Sequence, residues 1–154
     1  MINPKLLHNL TWIPPFLIGL CGALLGFLWL TVDEPWLLNR AANEAALQTT
    51  FTELFSKEIN RSLPEYLTTV YRFFGLWILA LGMMICAYVL ITFMGTRRAR
   101  NTLLVILGIL LAALFYLEYT FIPISPFVIL TYGLLVLYLV SLWASLQLNR
   151  EEKR

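Results

Sequence analysis

The sequence is short of almost everything that catalysis needs. Its single histidine, His8, and its two cysteines, Cys21 and Cys86, are scattered over 154 residues. One chain can therefore build neither a multi-histidine metal site nor a haem site, and the cysteines lack the CxxC spacing of a thiol oxidoreductase. They read as apolar filler. No GxSxG, phosphate-binding loop or HExxH is present, and no intramembrane serine shares its depth with a histidine or lysine. Charge is scarce as well, at 13% of residues against about 25% in an ordinary soluble domain. A net charge of +2 is too small for a polyanionic partner, which leaves nucleic acid out. These shortages point away from an enzyme, and no cofactor or metal is expected.

What the chain has instead is apolar mass: 60% hydrophobic residues and a mean hydropathy of +0.77. A soluble domain of 17.7 kDa would bury only about two-thirds of its surface, so long uncharged runs of Leu, Ile, Phe and Trp imply lipid as the solvent. About 20 apolar residues cross a hydrocarbon core of about 30 Å, and four runs of that order are present, over residues 12–31, 70–95, 102–122 and 127–147. The expected fold is all-α: one membrane domain over 1–154, a polytopic bundle of four transmembrane helices. Pro14 and Pro15 are expected in the first turn of the first helix, where proline is tolerated. That run ends in Thr31-Val32-Asp33-Glu34-Pro35 without a small-x-small cleavage site, so it reads as an uncleaved helix rather than a signal peptide.

Lys and Arg counts in the flanks set the expected orientation. Lys5, Arg97, Arg98, Arg100, Arg150, Lys153 and Arg154 share one side, whereas Arg40, Lys57, Arg61 and Arg72 lie on the other among six acids. Both termini are thus expected in the cytoplasm. Trp12 and Trp143 fall at the inner interface, and Trp29, Trp36, Tyr66, Tyr71 and Tyr119 near the outer one.

Residues 33–69 form a long extracytoplasmic loop with a helical pattern. Leu47, Phe51, Leu54 and Phe55 recur at i, i+4, i+7 and i+8, one apolar stripe. An amphipathic helix is expected there, suited to be a lid over the outer end of the bundle or in the headgroup layer, a surface facing a partner, or a gate over a lipid-accessible cavity. Ser62-Leu63-Pro64-Glu65 has the form of a capping box opening the second long helix.

Two charges stand out. Arg72 at the outer end of the second span and Glu118 near the outer end of the third share a depth, have opposite signs, and sit on helices joined by a short loop. Ionisable groups near hydrocarbon pair or face a wet cavity, so an Arg72–Glu118 ion pair or ligand site is expected, with Gly75, Trp77, Phe115, Tyr116 and Tyr119 as its pocket lining. Small residues mark packing seams: Gly22 and Gly26 extended by Gly19, then Gly75 and Gly82, then Ser141 and Ser145.

The layout resembles the DoxX-like group of small four-helix bacterial membrane proteins. The likeness rests on a long first external loop and on a second helix opening with Arg72-Phe73-Phe74-Gly75, followed by Leu81-Gly82. It implies a bundle in a bacterial inner membrane, in some cases associated with redox membrane complexes. Two functions follow as expectations. One is a non-enzymatic accessory or interaction subunit of a larger membrane assembly, its partners being membrane lipids and other subunits or further copies of itself. The alternative is a binder or carrier of a lipid, quinone or other apolar small molecule at the outer leaflet.

Overall fold

The computed structural model describes residues 3–151; Lys153 and Arg154, counted above in the orienting charge, lie outside them. Among the described residues there are helices and no strands. Four of the helices are long: α1 (Pro4–Thr31), α4 (Leu63–Thr92), α5 (Arg97–Phe121) and α6 (Pro126–Glu151). Two short ones, α2 (Arg40–Leu47) and α3 (Phe51–Ser56), lie between α1 and α4, with 3-10 turns at Pro35–Asn39 and Glu58–Asn60. Each long helix is apolar and long enough to cross a membrane. Their outward faces are apolar too: Leu24, Ile91, Ile109 and Ile129 are 61%, 81%, 65% and 75% exposed. A water-facing surface of that kind would aggregate, and the chain is an integral membrane protein.

The helix boundaries follow local chemistry. Thr96 Oγ1 accepts from Ala99 N at 3.2 Å and starts α5, and Ser125 Oγ accepts from Phe127 N at 3.1 Å at the start of α6. Phe93 and Met94 both take the left-handed conformation, with φ of 44° and 50°. They end α4 at Thr92, three residues before the expected boundary at 95. The basic run Arg97–Arg98–Arg100, expected in a loop, is instead the first turn of α5. Arg100 is buried and donates to Met94 O, Gly95 O and, at 2.7 Å, Asn149 Oδ1, pinning this turn to the end of α6. Ser62 makes no side-chain cap, so the expected capping box is not formed; its backbone is already helical, at φ −90° and ψ −5°, rather than extended.

Packing along the chain is uneven. α1 is the centre of the bundle: it packs along α4 on one side and α6 on the other, and α5 packs along α6. The α1–α4 seam is an antiparallel backbone contact. A Cβ on Gly26 would lie 2.6 Å from Gly75 O, and one on Gly82 would lie 2.6 Å from Gly19 O. The pairs are Gly26 with Gly75 and Gly19 with Gly82, seven residues apart on each helix. Gly22, expected to pair with Gly26 in a GxxxG, has room for a methyl group, its nearest neighbour being Gly82 Cα at 3.7 Å.

Pro14 and Pro15 are not at the helix start. They are buried inside α1, which begins ten residues earlier than the first proline. A helical N–H at Pro15 would have bonded Thr11 O, and proline has none. Ser141 Oγ on α6 donates to that carbonyl at 2.7 Å, from a site with no exposure. A freed backbone acceptor in lipid must be met by a neighbour, and Ser141 meets it while fixing α6 against α1.

Candidate functional site

The glycine seam draws α4 against α1 and away from α5. These two helices, though joined by only four residues, meet near their shared turn, where Tyr88 Oη donates to Ala99 O at 3.2 Å, and have no continuous interface beyond it. Between them, backed by α1 and α6, lies a cavity of about 610 Å3. α4 contributes Ile78, Leu81 and Ile85; α5 contributes Leu110, Leu114 and Leu117. Leu81 and Leu117 are 43% and 51% exposed, which marks the cleft between these helices as the cavity mouth. Its floor is Ile18, Leu107 and Leu111, buried residues of the main core.

Glu118 is the one ionisable carboxyl in this wall. It is 6% exposed, and its Oε2 is buried without a hydrogen-bond partner. Its polar neighbour is Thr131 on α6, itself 1% exposed. Trp29 of α1 lines the same cavity, and its Nε1–H is a second buried group without a partner. The Trp29 ring packs edge-on against Phe127 at 5.7 Å and Tyr71 at 5.9 Å between centroids. Phe127 and Thr131 are one helical turn apart on α6, so the residues they meet, Trp29 and Glu118, line the same end of the cavity.

The expected Arg72–Glu118 pair is absent. Arg72 is exposed, and the ion pair formed among the described residues is Arg40–Glu44. Adjacency in sequence put the two charges on neighbouring helices, but the glycine contact makes α1, not α5, the neighbour of α4. The expected pocket lining is corrected as well. Gly75 is in the α1 seam; Trp77, Tyr116 and Tyr119 are 62%, 67% and 67% exposed on the outer surface. Phe115 packs with Tyr119 and Tyr132 instead of entering the cavity.

The external stripe is not one helix. Gln48 is left-handed at φ 55°, and the chain restarts with Thr50 capping Glu53 N. Phe51 is 5% exposed, stacked on Phe55 at 5.5 Å and tilted against Trp36 at 6.3 Å. Leu47 and Leu54 border a small hollow with Trp36, Leu63, Leu67 and Tyr71. The stripe therefore turns inward onto Trp36 and the start of α4. Asn43 clamps it there, its Nδ2 donating to Trp36 O and Tyr71 Oη, both at 2.9 Å. Since Tyr71 also touches Trp29, the α2–α3 segment is continuous with the cavity wall.

Sequence reading missed Trp29 and Thr131. Trp29 passed for an interfacial belt residue, and Thr131 follows Phe127 by four, a spacing that marks one face of α6 without saying what it meets. Comparisons of the chain with protein-family models, with curated proteins and with solved structures find no match. The functional reading accordingly rests on the chemistry of the cavity.

Proposed function

We propose that this integral membrane protein is a non-enzymatic binder of an apolar small molecule, held in the cleft between α4 and α5. The observation that carries this reading is a cavity of about 610 Å3, apolar except at Glu118, Thr131 and Trp29. Ligand sites are of this kind, with about 300–1,000 Å3 of mostly apolar wall and a few placed polar groups. A cleft opening sideways between two spans admits its occupant from the bilayer. The Lys and Arg bias supports cytoplasmic termini, and with that orientation Glu118 lies in the outer leaflet and the α2–α3 segment outside; the bacterial inner membrane is what the DoxX-like resemblance implies. The accessory-subunit expectation leaned on lipid-facing Leu, Phe and Trp surfaces and on an outward stripe; the surfaces are exposed, as any bilayer-facing helix requires, and Phe51 of the stripe is buried on Trp36, so the cavity is the stronger support.

Native mass spectrometry of gently extracted protein tests the reading, with Leu114→Trp as the variant that fills the cleft. The wild type is expected to carry one small molecule per chain and the variant none, with helix content unchanged. No adduct on the wild type, or equal adducts on both, would sink the proposal.

A further inference from the structure

We infer that the occupant is an uncharged amphiphile headed by a hydroxyl group, set on Glu118; the inference rests on the binding reading above and adds the headgroup chemistry. Glu118 is more than nine-tenths buried with an unpartnered oxygen in an apolar wall. A buried acceptor left without a donor is costly, and the surrounding protein supplies only Thr131. An occupant that donates a hydrogen bond satisfies it.

The lining excludes negative headgroups. It contains no lysine, arginine or histidine, and Arg72, the basic residue expected beside Glu118, is exposed and away from the cavity. A phosphate or fatty-acid carboxylate would enter a desolvated site with no cation and one acid already present. The choice between an amine and an alcohol turns on Trp29. Its Nε1–H is a buried donor lacking an acceptor, in the lining of the same cavity as Glu118. An ammonium group has three donors and no acceptor, whereas a hydroxyl both donates and accepts. An alcohol offers both a donor for Glu118 and an acceptor for Trp29, which an ammonium group cannot, with its apolar body in the leucine cleft. A glycerolipid alcohol and a prenylated hydroquinone share this chemistry.

The test uses the full chain, delipidated in detergent and titrated with dioleoylglycerol, a decyl-substituted hydroquinone, oleylamine and oleic acid, with retention read by native mass spectrometry. One of the hydroxyl probes is expected to be retained at one per chain, and which one names the source; oleylamine and oleic acid are expected to be lost. Glu118→Gln keeps an acceptor oxygen and is expected to keep binding within about threefold, while Glu118→Leu weakens it by about tenfold. Preference for oleylamine, abolished by Glu118→Gln, would overturn the hydroxyl assignment in favour of a cation and leave the binding reading standing. Retention of oleic acid as well as the alcohols, or independence of headgroup, would overturn it too. If no probe is retained by the wild type, the binding reading itself fails.

Discussion

Toward α1, helix α4 presents Gly75 and Gly82, and the two backbones touch; toward α5 it presents Ile78 and Leu81, and the helices stand apart around a cavity. Both faces are apolar, and in lipid neither gains from leaving water. Association there depends on close packing and hydrogen bonds, so the face without side chains closes and the branched face stays open. The hydrophobicity of a membrane helix therefore says little about which neighbour it takes.

Four experiments break or sharpen this contrast. Gly26→Val places a side chain against Gly75 O and the Leu79 backbone, and overpacking of that kind is expected to cost about 3 kcal/mol. Gly22→Ala, where a methyl group fits, is expected to stay within about 0.5 kcal/mol; thermal unfolding in detergent compares the two. Next, Leu111→Ala in the buried floor is expected to cost about 2–3 kcal/mol. Leu114→Ala, at 39% exposed beside the cleft, should cost under about 1 kcal/mol, and equal losses would mean that the cleft is as tightly packed as its floor.

Smaller still is Ser141→Ala, which removes the donor that meets Thr11 O opposite Pro15 and is expected to cost about 1–2 kcal/mol. Restoring an N–H with Pro15→Ala in the same chain should recover part of that loss, because the carbonyl regains its helical donor.

The mildest effect concerns the external segment. Glu44 accepts from Phe51 N at 3.0 Å and pairs with Arg40 at 3.0 Å. The backbone hydrogen bond from Phe51 chiefly, with a lesser contribution from Arg40, holds its carboxyl below the usual range against the opposing effect of desolvation. A depressed folded-state pKa means that the bond's contribution is present above the ordinary carboxylate range and is lost as pH falls through the lowered value. Hydrogen exchange at the Phe51 amide, corrected for intrinsic rate, should show protection at neutral pH that fades only once the pH has fallen below the ordinary carboxylate range. Glu44→Gln should flatten that profile.

The four spans were legible because a bilayer demands about 20 uncharged residues per crossing, whatever the neighbours are. Gly75, Gly82, Ser141 and Glu118 were legible as unusual residues for the same reason: each departs from plain hydrocarbon. Their partners were not. The Arg72–Glu118 pairing failed because a short connection was read as an interface, and the Leu47–Phe55 stripe failed because periodicity is blind to a single left-handed residue at Gln48. Pro14 and Pro15 were misplaced because their compensation, Ser141, lies 126 residues further on from Pro15.

Taken alone, the sequence determined the solvent, the number of spans, the poverty of catalytic groups and the presence of one acid near the third span's end, since each depends on residue type and spacing. The tertiary structure decided which helices touch, where the empty volume lies, and that Glu118 faces it beside Trp29 and Thr131 rather than Arg72. Those outcomes depend on how closely two backbones can approach, a property of paired surfaces that no single helix carries in its own sequence.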